Sequence, residues 1–274
     1  MRSDGQKKKD DSILPCLDRV SFELSNRCNY APVHPKCPAH LSGDPVFLPL
    51  TIITDVLDTL GDAGFCGGIS FHNYNEPLID PRLFKCIEYA KKCCPKSQIV
   101  IWTNGWSLNQ TMMDELTASG VTILVATAYT EQEKERLCAI RTAIEYTIID
   151  VDWAHVIDAD EMEPVDDPIP CYAPLTDLRI SKEGLVVLCC RDWKNEYVFY
   201  DLNKVPFRSV LHSRALLDAY DRLRAGDRYL PLCKRCRTAR DWRRLRQPPI
   251  LDRLVPAIRK RIGRLRERLS RGLH

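Results

Sequence analysis

No run of about 18 uninterrupted apolar residues occurs in this chain of 274 residues, so no segment is suited to crossing a bilayer as a helix. The opening stretch, Met1–Ser12, is charged and lacks the apolar region of a secretory signal; it reads as a disordered lead-in over 1–17. There is no internal repeat. Also missing are the marks of a disulfide framework, which are an even cysteine count, a small fold and export. Thirteen cysteines are present all the same. In a reducing cytoplasm, where this chain is expected to reside, thiolates at patterned spacings point to metal or to iron–sulfur clusters. With 45% hydrophobic and 28% charged residues the chain can build a core and stay soluble.

Short apolar runs alternate with helical patterns. Val20–Leu24, Gly68–Phe71, Gln98–Trp102, Val121–Ala126 and Tyr146–Ile149 read as strands. Leu50–Leu60, Pro81–Cys93, Thr111–Ser119 and Glu131–Ala143 read as helices between them, the second opened by proline. Such alternation predicts an α/β fold with a parallel sheet, whose ligand site lies in the loops at the carboxyl ends of the strands. An acidic, proline-marked linker follows at Asp158–Pro168. Beyond it, Leu178–Ile180 and Leu185–Leu188 form a predicted hairpin, followed by a helix near Ser213–Ala225. A main domain over 18–160 and a small one over 165–240 are expected.

Three constellations carry chemistry. In the loop after the first strand, Cys28, His34, Cys37 and His40 lie within one short segment. A cluster held by three protein ligands keeps one iron open for chemistry, and a zinc loop is the alternative. After the second strand comes His72-Asn73-Tyr74-Asn75-Glu76-Pro77-Leu78, and after the third Thr103-Asn104-Gly105. The small domain holds Cys171, Cys189, Cys233 and Cys236, the last two as C-x2-C and Cys189 five positions after Gly184. Four thiolates close either a zinc site or a fully ligated [4Fe–4S] cluster, and spacing alone does not separate the two. Cys16, Cys66, Cys86, Cys93, Cys94 and Cys138 match no pattern and read as core or surface thiols.

Together, in order and on successive strands, these segments resemble the radical S-adenosylmethionine superfamily, in its SPASM/twitch subgroup. The resemblance rests on Glu23-Leu24-Ser25-Asn26-Arg27-Cys28-Asn29, on the segment ending Glu76-Pro77-Leu78, and on the cysteine spacing of the small domain. It departs from the usual C-x3-C-x2-C: only Cys28 and Cys37 are present, with eight residues between them. His34 keeps the x2 spacing to Cys37 and is the favoured third ligand, with His40 the alternative. Asn73 and Asn75 replace two glycines of the family pattern, and asparagine tolerates the left-handed backbone such a turn uses.

The resemblance implies a partial (β/α)6 barrel with a twitch appendage, two [4Fe–4S] clusters and S-adenosylmethionine. Tyr74, Asn75, Glu76 and Asn104 would bind that cofactor, Glu76 suiting its ammonium group. In such enzymes reductive cleavage of the cofactor gives a 5′-deoxyadenosyl radical that abstracts a substrate hydrogen, and the auxiliary cluster can accept the substrate electron. The implied function is oxidation of a small polyol, aminocyclitol or sugar, with a flavodoxin- or ferredoxin-type electron donor. Arg191 and Asp192 are candidate catalytic residues. A radical epimerase or peptide-modifying enzyme is one rival, although only 17 residues precede the first strand region, which leaves no room there for a leader-peptide domain. A non-radical iron–sulfur or zinc regulatory protein is the other.

Residues 237–274 carry 13 Lys/Arg against 3 Asp/Glu, a net +10 in a chain whose total is +3. Leu251, Leu254, Val255, Ile258, Ile262, Leu265 and Leu269 recur at helical spacing, so 241–274 reads as a basic amphipathic helix. It either docks on the barrel or meets an anionic membrane or acidic partner. With few aromatics to stack on bases, nucleic acid is not the expected partner.

Overall fold

A computed structural model describes residues 12–34, 37–41, 43–150 and 170–236. The acidic linker and the basic tail lie outside these described residues. Strands β1 (Arg19–Phe22), β2 (Gly68–Ser70), β3 (Gln98–Thr103), β4 (Ile123–Ala128) and β5 (Glu145–Asp150) run parallel. Helices α1 (Pro38–Leu41) and α2 (Leu50–Asp62) follow β1, α3 (Leu83–Cys93) follows β2, α4 (Gln110–Ser119) follows β3, and α5 (Glu131–Cys138) follows β4.

The reason is visible in the alternation of side chains. Val20, Phe22, Ile69, Ile99, Ile101, Leu124 and Ala126 are fully buried against Ile53, Leu57, Ile87, Met113 and Leu116 of the helices. Their neighbours Arg19, Ser21, Ser70, Val100, Trp102 and Thr127 point to the opposite, concave face. That face carries polar residues because it bounds cavities rather than core.

Beyond α6 (Ala173–Thr176), strand β6 (Leu178–Ile180) pairs parallel with β1, placing Arg179 opposite Ser21. Strands β7 (Leu185–Val187) and β8 (Val198–Asp201) continue antiparallel. The order is β5-β4-β3-β2-β1-β6-β7-β8 in one eight-stranded sheet. Among the described residues six strands therefore run parallel, with β6 beside β1. The cysteine-bearing unit thus shares the main sheet, and it adds a small core of Leu188, Leu223, Leu232 and Cys233. Helices α7 (Arg214–Arg224) and α8 (Pro231–Lys234) complete it.

Three expectations are corrected. Residues 12–17 are not a disordered lead-in: Ile13 is fully buried and its N–H donates to Leu211 O at 2.8 Å. The helix after β4 stops at Cys138, short of Ala143, because Leu137 alone faces the core and the chain must turn to enter β5. Helix α3 begins at Leu83, so Pro81 precedes it, and the Asp80 carboxylate takes the N–H of Arg82 at 2.9 Å.

Candidate active site

The loop after β1 is fixed at both ends. Asn26 exchanges hydrogen bonds with the 44–46 segment, donating to Asp44 O at 2.8 Å and accepting from Val46 N at 2.9 Å. A 3-10 turn at Ala31–Val33 then brings His34 and Cys37 inward, 6% and 8% exposed. Cys37 N donates to His34 O at 2.9 Å. Tyr30 pins this loop from outside: its ring packs on His34 and Tyr129, and its hydroxyl donates to Glu133 at the start of α5. Burial pushes the Cys28 thiol up to about 11 and lowers His34, leaving a neutral imidazole with a ligating lone pair.

The loop after β2 folds back on itself through asparagine amides. Asn75 Nδ2 donates to Phe71 O at 3.1 Å, and its Oδ1 accepts from Asn73 N at 3.1 Å. Neither asparagine adopts positive φ; among the described non-glycine residues only Asn195 does. The expected left-handed turn is replaced by side-chain hydrogen bonds. Glu76 is 2% exposed and fastens two strand ends together. One of its oxygens accepts from Leu78 N at 3.0 Å and Thr103 Oγ1 at 2.7 Å, the other from Asn104 N at 2.7 Å. Burial raises its pKa to about 7, against the pull of those donors. Asn104 in turn reaches Asn29 Oδ1 at 2.7 Å and Cys28 Sγ at 3.7 Å. Gly105 follows at φ 72°, where an added Cβ would lie 3.0 Å from Leu137, so the turn needs glycine.

Cys28, His34, Cys37, Tyr74, Asn75, Glu76 and Asn104 line one cavity of about 240 Å³, joined by His72, Asn73, Trp102, Thr127 and Tyr129. The sequence-predicted residues of three separate loops therefore meet. His40 belongs to α1, which starts one residue after Cys37.

Behind the cavity stands a polar network that sequence reading missed. Asp177 accepts from Ser21 Oγ at 2.5 Å, Arg19 at 2.9 Å and Arg179 at 2.6 Å. Burial works to raise its pKa, but the two guanidiniums and the hydroxyl outweigh it and hold the carboxyl below its ordinary value. Arg179 also donates to Asn73 Oδ1 at 2.8 Å. His72 stacks on Trp102 at 5.6 Å and meets Ser70 Oγ at 3.1 Å. Asp177 and Arg179 are close in sequence, but Arg19 gave no local signal because it joins them only through β1–β6 pairing.

The second cysteine set gathers beside β7. Cys171 N donates to Leu223 O at 2.8 Å, while Arg228 Nη1 donates to the carbonyls of Cys233 at 2.9 Å and Cys236 at 3.3 Å. Burial, then the neighbouring thiols, raises Cys233 to about 12 and Cys189 well above its ordinary value. Gly184 has φ 81°, and a Cβ there would lie 2.5 Å from Ile52, so the turn that leads to Cys189 requires glycine. Asp192 is 3% exposed and closes its own loop, accepting from Glu196 N at 2.8 Å and Tyr197 N at 2.9 Å. Its carboxylate is committed there. Cys190 also lies within electrostatic reach of Cys171 and Cys189. Cys86 and Cys94 are buried core thiols, and Cys66 and Cys138 are exposed.

Among the described residues no three His, Cys, Asp or Glu side chains converge closely enough to hold a single metal ion. An iron–sulfur cluster-binding domain of the SPASM family matches residues 171–237, which contain all four. The S-adenosyl-L-methionine-dependent 2-deoxy-scyllo-inosamine dehydrogenase of Niallia circulans is 22% identical over 231 residues, covering 79% of this chain and 91% of that protein.

The chain is thus similar to radical S-adenosylmethionine proteins, and its residues 171–237 match the SPASM iron–sulfur cluster-binding domain.

Its fold is likewise that of BtrN in complex with AdoMet and 2-DOIA, with a TM-score of 0.70 at 20% identity over 81% of this chain and 93% of that one. The similarity extends to anSMEcpe with bound AdoMet, with a TM-score of 0.51 at 10% identity over 82% and 87%. The cavity donors fit a [4Fe–4S] cluster with S-adenosylmethionine: two soft thiols, a neutral imidazole, a buried carboxylate and strand-end polar groups. The aromatic pin of Tyr30, Tyr129 and Glu133 was not foreseen; Thr130 capping α5 was its only local signal. No helix among the described residues is long and apolar enough to cross a membrane.

Proposed function

We propose that this chain is a radical S-adenosylmethionine oxidoreductase that converts a secondary alcohol of a small polyol, aminocyclitol or sugar to a ketone. The observation that carries the reading is one wall shared by two cysteine sets. Tyr74 lines the cavity of Cys28, His34 and Cys37, and its hydroxyl donates to the carbonyl of Cys190, next to Cys189. When bound, a three-ligand [4Fe–4S] cluster with S-adenosylmethionine supplies hydrogen-atom abstraction, and a second, fully ligated cluster supplies a one-electron acceptor.

The chain's own residues then have separable tasks. Cys28, His34 and Cys37 hold the first cluster, and Cys171, Cys189, Cys233 and Cys236 hold the second. Glu76 has three donors on its two oxygens, which leaves about one lone-pair position for the cofactor's ammonium group. Tyr74 and Asn75 shape the loop beside it, and Asn104 steadies Cys28. His72, Asn73 and Thr127 border the same cavity and offer hydrogen-bond partners to substrate hydroxyls. Burial keeps His72 neutral, so it can both donate and accept. Arg191 flanks the second cysteine set and remains the candidate for substrate contact. The small substrate class follows the Niallia circulans relative, which is named for 2-deoxy-scyllo-inosamine. A flavodoxin- or ferredoxin-type protein would deliver the electron, and the basic tail would give an anionic membrane surface something to hold.

The test is anaerobic incubation of the reconstituted chain with S-adenosylmethionine, a strong reductant and a panel of polyols and aminocyclitols. Formation of 5′-deoxyadenosine with one equivalent of ketone supports the reading. Cofactor binding with no 5′-deoxyadenosine from any condition would refute it in favour of a binding protein.

A further inference from the structure

The cofactor loop and the second cysteine set belong to different parts of the chain, yet they are tied at two points. Tyr74 is half-buried, and its hydroxyl donates to the carbonyl of Cys190 across the cavity wall. Arg179 on β6 donates to Asn73 Oδ1 at 2.8 Å and to His72 O at 3.5 Å. Arg179 is itself anchored on Asp177, so its end of the loop is fixed whatever happens at the cysteines. The anchor of Tyr74 is different. The acceptor belongs to the segment from Cys189 to Tyr197, which Asp192 closes on itself. The Cys189 end of that segment is held by backbone hydrogen bonds, Asp192 N donating to Cys189 O at 3.1 Å and Leu188 N to Tyr197 O at 3.1 Å, and ligation at Cys189 would add a further anchor.

We propose that Tyr74 is a positioning residue that couples the two sites, so that S-adenosylmethionine binds more tightly when the auxiliary cluster is in place. This rests on the function proposed above. Ligation at Cys189 fixes the Cys190 carbonyl, the carbonyl fixes the Tyr74 hydroxyl, and the loop from His72 to Glu76 is thereby held in its binding shape. Without ligation the carbonyl is held against the phenol only by its own loop, and more of the ordering of the 72–76 loop falls to the cofactor. The linkage is reciprocal, so cofactor binding must also be felt at the auxiliary cluster. One buried hydrogen bond sets its size, roughly three- to tenfold in affinity.

The experiment is a double-mutant cycle on the full reconstituted chain, with S-adenosylmethionine affinity measured by anaerobic equilibrium dialysis. Replacing both Cys233→Ser and Cys236→Ser should weaken binding roughly three- to tenfold when Tyr74 is present, and less than about twofold in Tyr74→Phe. Equal losses in both backgrounds, or no loss in either, overturn the coupling. A second readout does not depend on the cysteine variants folding. Adding the cofactor to otherwise wild-type protein should shift the electron paramagnetic resonance of the reduced auxiliary cluster, and Tyr74→Phe should abolish that shift at unchanged iron content. A shift that persists in Tyr74→Phe, or is absent from the wild type, overturns it. Wild-type protein that makes 5′-deoxyadenosine but shows no coupling sinks this inference alone. Wild-type protein that binds no cofactor sinks the proposed function with it.

Discussion

Glu76 offers the most quantitative handle on the site. Its carboxyl, with a pKa near 7 in place of the usual 4.5, keeps its proton at pH values where an ordinary glutamate is ionised. If the ionised form receives the cofactor's ammonium group, binding must first remove that proton. The apparent affinity then falls with decreasing pH below 7. For a group of pKa about 7, the fraction ionised drops from nearly complete at about pH 8 to about a tenth at about pH 6, so Kd should rise about tenfold. Glu76→Gln should flatten the profile and weaken binding at every pH, because its amide NH2 opposes the N–H of Asn104. The same displacement has a stability consequence of the same origin. A folded pKa raised above the unfolded one gives stabilisation that is present at low pH and lost as pH rises toward 7. From 4.5 to about 7 this amounts to roughly 3 kcal/mol, and Glu76→Gln should remove the dependence. Anaerobic calorimetric titration of the cofactor between about pH 6 and 8, beside urea unfolding between about pH 4 and 8, provides both measurements. A flat wild-type affinity profile, or a Gln variant that keeps the slope, would refute the role of Glu76 as the ammonium partner.

The third ligand of the first cluster is testable by spectroscopy. His34→Ala should abolish the cofactor-sensitive resonance in a background lacking the auxiliary cluster, and His34→Cys should restore a cluster of lower potential, since thiolate adds negative charge; loss in His40→Ala with retention in His34→Ala would assign the ligand to His40. Reconstituted wild type should carry roughly eight irons per chain, and Cys233→Ala with Cys236→Ala should leave about half, whereas zinc in the second site with all cysteines intact would contradict an auxiliary cluster. Deleting 249–274 should remove salt-sensitive binding to anionic vesicles, and unchanged partitioning would restrict the tail to a structural role.

How much of this could be read in advance depends on the range of the interactions. Strand and helix positions came from alternation and periodicity, which are properties of neighbouring residues. For that reason β1 to β5 and their helices fall close to where the pattern put them. The cysteine spacings and the Glu76-Pro77-Leu78 segment pointed to a family by resemblance, whereas spacing alone left zinc and an iron–sulfur cluster both open in the small domain. Why glycine stands at 105 and 184 is shown only by the structure, where positive φ and a close neighbour leave no room for a Cβ. The sequence did not contain the pairing of β6 with β1, which brings Asp177 to Arg19 and Ser21, and Arg179 to Asn73, from more than a hundred residues away along the chain. Nor did it contain the contact of Tyr74 with Cys190, or the meeting of Tyr30 with Glu133. These are agreements between segments with no shared local pattern, and they arise only when the hydrophobic faces are buried and the loops at the strand ends are brought together. Local physics determined which residues could do chemistry here. Burial of the common sheet decided which of them face one another.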